Sequence, residues 1–364
     1  MYDPTHYFST SYAQAKSRFL AAVTGHGASS ESLVLPDRLG AQGEPLSTDV
    51  ALIGSAQAAR LLVLSSGTHG VEGFCGAGCQ LAVLDDAELL GLARQHEVAL
   101  LFIHAINPHG FSHRRRWNED NVDVNRNFVD FSKPRARNVN YAALHPLLIP
   151  EVWPPTAENE EAIGRFIAQQ GMAAFQAAIS GGQYEFADGL FYGGSAPSWS
   201  SVTLRRIFAC HAAQATRIGW LDYHTGLGAY GHCEKIAPGS NPRSARRARR
   251  WWGMDVVGIA GDDCVSSEVL GSSDLALSEV AGNAACANIA MEYGVTPLAT
   301  TAYALRAEQW LCNHPSGASA AQAEAIKQGL LDSFYSTNPV WQGSVLGQSR
   351  TALVQAIRGL ALDD

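Results

Sequence analysis

Two apolar runs of strand length, residues 61–65 (LLVLS) and 99–106 (ALLFIHAI), flank a stretch at 76–90 that is rich in Ala and Leu and reads as a helix. Strand, helix and strand in that order predict parallel neighbours joined by a crossover, which is right-handed in nearly all such units. Neither run alternates apolar with polar residues, so both faces of the sheet need cover. Other segments extend the pattern. Short strands are expected at 32–35 and 50–53, joined by the turn-rich PDRLGAQGEP, and two more buried strands at 218–223 and 287–293. Helices are expected at 12–23, 157–179, 321–335 and 344–360. Residues 128–155 hold five prolines and no clear period, which predicts a long functional loop, a lid or pocket rim. The class is α/β: a mostly parallel, mixed central sheet with helices on both faces.

The totals permit one domain across residues 1–364, with no internal repeat, low-complexity tract or obvious linker. Hydrophobic residues make up 46% and charged residues 16%, so the chain is globular rather than disordered. A formal charge of −8 argues against general nucleic-acid binding. The seven cysteines are scattered and odd in number, with no C-x-x-C pair, which fits a reducing compartment better than a disulfide framework. The first residues lack a basic segment followed by an apolar run, and no apolar stretch approaches the ~20 residues of a membrane span. A cytoplasmic protein without membrane partners is expected; oligomeric state stays open.

In open α/β sheets, ligands gather beyond the C-terminal ends of the strands. There the chain places His69 and Glu72, then Asn107–Gly110, then His224 at the end of IGWLDYH, then Glu292 in MEYG. Two imidazoles and a carboxylate form a ligand set that holds catalytic zinc with a fourth position open. Gly67 and Gly70 let the backbone turn between the two nearby ligands. Asp222, two residues before His224 on the same strand face, is placed to orient a ligand. The same ligand set serves non-haem iron oxygenases, but that reading leaves Glu292 and Arg116 without roles.

Taken in order, THGVEG, NPHGFSHRRRWNEDNVDVNRNF, LDYHTG and MEYG resemble the motifs of the zinc metallocarboxypeptidase superfamily, which includes aspartoacylase-like amidohydrolases. The nearest likeness is to its bacterial, carboxypeptidase-like branch. The resemblance spans about residues 61–294, with helices at about 315–360 following it. It implies a carboxypeptidase-like sandwich, one zinc per chain held by His69, Glu72 and His224, and Glu292 as the general base. It implies that Arg116 holds the oxyanion and that Asn125 and Arg126 grip a substrate carboxylate. The implied reaction is hydrolysis of an amide next to a free carboxylate in a small peptide; the alternative is deacylation of an N-acyl amino acid.

The chemistry agrees. A carboxylate beside an activated water collects its proton, a fixed cation holds the oxyanion, and a planar guanidinium pairs bidentately with a carboxylate. The resemblance leaves three points open. The tyrosine that closes over substrate in digestive carboxypeptidases has three candidates, Tyr192, Tyr230 and Tyr303. The segment 191–201 (FYGGSAPSWSS) either lines the cleft or is an ordinary turn. His104, His109, His113 and His232 are candidates for a second metal. The arginine-rich stretch at 243–250 is expected to be a solvated helix face.

Overall fold

The computed structural model describes residues 3–135, 137–238, 242–259 and 264–362. Its centre is an eight-stranded sheet: β1 (Ser30–Leu39), β2 (Pro45–Ile53), β3 (Arg60–Ser65), β4 (Val98–His104), β5 (Arg217–Tyr230), β6 (Cys233–Ala237), β7 (Val256–Gly258) and β8 (Ala285–Gly294), in spatial order β1-β2-β4-β3-β5-β8-β6-β7. The four middle strands, β4, β3, β5 and β8, run parallel. Antiparallel pairing attaches β1 and β2 on one side and β6 on the other, and β7 lies parallel to β6. The sheet is mixed and mostly parallel, as expected.

Alternation along each strand divides the core. Leu62, Leu64, Leu100, Phe102, Leu221 and Tyr223 join one cluster, which helices Tyr12–Gly25, Gly73–Asp85 and Pro339–Leu362 cover. Leu61, Val63, Leu101, Ile103 and Trp220 point the other way and meet helix Trp199–His211. Both faces are dry, which is why β3 and β4 read as unbroken apolar runs.

Several expected boundaries shift. β1 and β2 are longer than the short strands expected at 32–35 and 50–53, because they pair with each other over most of their length. The helix expected at 76–90 is two helices, Gly73–Asp85 and Ala87–Gln95, divided at Asp86, whose side chain accepts from the Leu89 amide and so caps the second. The helix expected at 157–179 is also two, Ala157–Gln170 and Met172–Ser180; Gly171 separates them at φ +87, a value only glycine takes without strain. The loop expected at 128–155 contains a helix, Val139–Leu148, which Asn138 caps and which carries Pro146 within it. The pattern also missed helix Leu298–Asn313. Helix Pro242–Trp252 meets expectation: Ala248, Trp251 and Trp252 are buried, and Arg246, Arg249 and Arg250 are exposed. None of the described helices is long and apolar enough to cross a membrane.

Candidate metal centre

β3 stops at Ser65, and the chain then turns through Gly67 at φ +63 to bring His69 to the start of a short 3-10 turn that carries Glu72. Gly70 has a different task from the sharp turn assigned to it. A Cβ there would sit 2.0 Å from the Gly110 carbonyl carbon, so the glycines of THG and NPHG pack backbone to backbone. That approach lets the Gly70 and Val71 amides donate to the carbonyls of Arg116 and Arg115 at 3.1 and 2.8 Å. Asn107 completes the corner, accepting from the Gly110 amide at 2.8 Å and donating to the Arg116 carbonyl at 3.3 Å. These bonds hold the Arg116 main chain beside His69.

The other donors come from the sheet. β5 does not end at His224, as the apolar pattern implied, but continues to Tyr230. His224 is paired in register with Glu292 of β8, so the two side chains stand side by side on one face. The Nδ1 atoms of His69 and His224 lie 3.3 Å apart, and the Glu72 carboxylate oxygens lie 2.9 and 3.0 Å from them. All three residues are buried, and one ligand atom from each falls within 4.8 Å of the others. Tetrahedral zinc with bonds of about 2.0–2.1 Å separates its ligand atoms by roughly 3.4 Å, so the donor set fits the ion.

Each imidazole is fixed through its far nitrogen. His224 Nε2 lies 2.7 Å from Asp222, which accepts from the hydroxyls of Ser65 and Thr68. His69 Nε2 lies 3.3 Å from Asp123. Asp222 meets expectation as an orienting partner, whereas Asp123 was passed over. It also reaches Arg116 Nε at 3.3 Å and Arg126 Nη1 at 3.9 Å, and accepts from the Asn125 amide at 2.9 Å. The available signal was the D-x-N-R spacing, an acid capping the short turn that carries Asn125 and Arg126. Substituting Asp123→Asn is expected to lower metal affinity about 10–100-fold, measured by competition with a chromophoric chelator. Unchanged affinity would remove Asp123 from the metal centre.

Burial and mutual charge set the state of each acidic group at the site. Burial alone would raise Glu72, but the two histidines hold its carboxyl below the usual range. Burial would likewise raise Asp123, and Arg126, Arg116 and His69 outweigh it. Glu292 goes the other way: burial first, then the charge of Glu72, push it up to about 8. Burial would lower His224, but Asp222 and Glu72 hold it well above its usual range, so the acidic residues of the site are matched by protons on His224 and Glu292 as well as by two guanidiniums, and a dication at the same atoms would favour release of those protons.

Arg116 donates to Glu72 at 3.1 Å and lies 2.8 Å from His69 Nε2. Its two neighbours have other fates. Arg114 forms a two-pronged pair with Glu324, and Arg115 is buried against Glu308 at 2.8 Å. Arg126 donates from Nε and Nη2 to the Ser180 carbonyl and from Nη1 to that of Asn125. The Phe191 ring lies under both site arginines, with centroids 4.9 Å from the Arg116 guanidinium carbon and 5.5 Å from that of Arg126.

A cavity of about 500 Å³ is lined by His69, Arg116, Asn125, Arg126, His224 and Glu292, among others. Glu72 sits just behind this surface. Of the three tyrosine candidates only Tyr303 lines the cavity; Tyr192 is buried outside the lining, and Tyr230 bonds Ser336. Phe191 is the residue of 191–201 that reaches it. No second metal cluster occurs among the described residues: His104 stacks on Phe19, His109 stacks on His113, and His232 is exposed.

A mixed sheet with this order, carrying two histidines and a glutamate at its rim, defines a metallocarboxypeptidase-like fold. The bovine thrombin-activatable fibrinolysis inhibitor superposes with a TM-score of 0.50 at 9% identity, covering 98% of each chain. A second structure of thrombin-activatable fibrinolysis inhibitor gives 0.51 at 10% identity, over 97% of this chain and 75% of that one. Carboxypeptidase A from Helicoverpa armigera gives 0.43 at 12% identity, over 94% and 73%. The chain belongs to the family described as "Protein of unknown function (DUF2817)", whose model matches residues 8–348. No curated protein matches it in sequence.

Proposed function

We propose that the chain is a single-domain, zinc-dependent hydrolase of amide bonds next to a free carboxylate, acting on small peptides in the manner of a metallocarboxypeptidase. The observation that carries this reading is the convergence of His69 Nδ1, His224 Nδ1 and the Glu72 carboxylate beside Glu292 and Arg116 in one cavity. Zinc held by the three ligands would polarise the scissile carbonyl and lower the pKa of the attacking water.

The protein supplies the rest. Glu292 takes the proton from the water and delivers it to the departing amine. Arg116 supplies fixed positive charge for the oxyanion. His69 Nε2 faces both a guanidinium, which only donates, and the Asp123 carboxylate, which only accepts. With Nδ1 given to a cation, Nε2 carries the proton and pairs with Asp123, and Arg116 Nη2 turns to the substrate. Arg126, already anchored by main-chain carbonyls, has N–H groups left for a carboxylate and loses little side-chain freedom in binding it.

Metal analysis and a peptide assay test this together. Purified protein is expected to carry about one zinc per chain, to lose it in His69→Ala, and to release the C-terminal residue from dipeptides. Equal zinc in both proteins would overturn the ligand assignment, and failure to cut any dipeptide would overturn the peptidase reading.

A further inference from the structure

We propose that the cavity selects substrates whose acyl half, the part before the scissile bond, carries a bulky apolar group. This rests on the hydrolase reading above and adds the substrate class. The cavity has two unlike linings. At Asn125 the lining is polar, formed by Ser272, Ser273 and Asp274, while Phe191 packs on the Arg126 guanidinium. The Ser273 amide donates to Asn125 Oδ1 at 2.8 Å, which ties this polar floor to the residues that would hold the carboxylate of the departing amine half.

The second lining is apolar and comes from other segments: Leu148, Ile163, Ile167, Leu298, Leu305 and Phe334. It is fastened at the other elements of the centre. Thr225 follows the ligand His224 and donates its amide to Glu72 and its hydroxyl to the Phe334 carbonyl, at 3.2 and 2.6 Å. Thr301 donates to the Gly226 carbonyl at 3.2 Å, seating helix Leu298–Asn313 next to the same ligand. Arg306 of that helix then ties down the far segments, donating to the Leu147 and Leu148 carbonyls and pairing with Glu160 at 2.9 Å. Helix Ala157–Gln170, which carries Ile163 and Ile167, is thereby held over the cavity.

Two large apolar side chains of the lining, Met172 and Tyr303, are 49% and 44% exposed. Apolar surface left open at the rim of an apolar recess marks a binding site for an apolar group rather than a folding core. A cavity of about 500 Å³ exceeds the needs of one small side chain and falls within the roughly 300–1,000 Å³ of sites for larger organic ligands. With the carboxylate held between Arg126 and Asn125 beside Ser272 and Ser273, the apolar wall fastened at Thr225 and Gly226 is left for the acyl half. The group could be the side chain of a hydrophobic residue or an alkyl chain; the recognition chemistry is the same.

Two substrate series with a constant C-terminal serine separate the sources. One is X-Ser dipeptides with X from Gly through Ala and Leu to Phe; the other is N-acyl-Ser from acetyl to decanoyl. For whichever series is cut, kcat/KM is expected to rise up to about three- to fourfold per buried methylene until the cavity is filled. A third series, Leu-X, varies the C-terminal residue and should show a weaker dependence on apolar size. Binding to Glu292→Gln is measured in parallel by calorimetry and should follow the same order. Ala302→Phe, at a partly buried lining position, narrows the cavity; it should flatten the trend for the large groups while sparing Gly-Ser and acetyl-Ser. Leu298→Ser is a second variant in case the first folds poorly.

Affinity and turnover indifferent to acyl size, or selectivity residing in the C-terminal residue, would overturn the proposal and leave the hydrolase reading standing. Affinity that rises with acyl size without any turnover would support this pocket and sink the hydrolase reading.

Discussion

Glu292→Gln is expected to lower kcat by about two to four orders of magnitude while zinc content and thermal stability stay near wild type. The amide keeps the carboxylate's shape, and its oxygen can still accept from the Leu227 amide, 3.1 Å from Glu292 Oε1. What it loses is the ability to take a proton. Glu292 is suited to that role by position and by environment. Its register partner across the β5–β8 pair is His224, a proposed ligand, and burial with the Glu72 charge raises its carboxyl to about 8 before any cation is counted. A dication at the ligands acts against that rise, because it favours the ionised form. The carboxylate is then available near neutral pH, and its affinity for protons falls below about 8. Wild-type kcat/KM should therefore climb with pH along an acidic limb that the residual activity of Glu292→Gln lacks. Steady-state kinetics with metal analysis on the same preparations decides it, and near wild-type kcat in the variant would remove Glu292 from the mechanism.

Arg126→Met is the second large effect. It is expected to lower kcat/KM by roughly one to a few orders of magnitude for peptides with a free terminal carboxylate. Amidated versions, which the wild type is itself expected to cut poorly, should lose far less. A charge-assisted pair to a guanidinium is worth roughly 1.5–3 kcal/mol, and this one forms in a buried setting. Arg126 is 4% exposed and is held by the Ser180 and Asn125 carbonyls. Asp123 at 3.9 Å offsets part of its charge, so the effect should sit below that of an unpaired cation. The measurement compares both enzymes on both substrates. If the wild type cuts amides as well as free acids, the carboxylate anchor fails and an endopeptidase or broad amidase becomes the better reading.

The central strands were legible because the signals that set them are local. An apolar run of strand length reads as a buried strand whatever it packs against, and β3, β4, β5 and β8 all fall on such runs. The ligand candidates were legible for a related reason. His69, Glu72, His224 and Glu292 interrupt apolar or small-residue segments, where a polar side chain must find a partner. Single breaks were harder to see. Gly171 divides one expected helix because its backbone takes a conformation that periodicity does not report, and an Asn cap starts a helix inside a proline-rich segment expected to be a loop.

The sequence by itself determined the α/β class, the apolar strands of the sheet and the residue types able to bind a dication, because strand period and ligand chemistry depend on near neighbours in the chain. Only the tertiary structure decided which of those residues meet. Asp123 lies 54 positions from His69 yet stands 3.3 Å from its Nε2, Gly70 matters because Gly110 presses on it, and Phe191 lies under two arginines from another segment. The cavity's polar and apolar linings are likewise drawn from segments scattered from His69 to Phe334. Such contacts depend on packing in three dimensions, and neither spacing nor composition along the chain carries them.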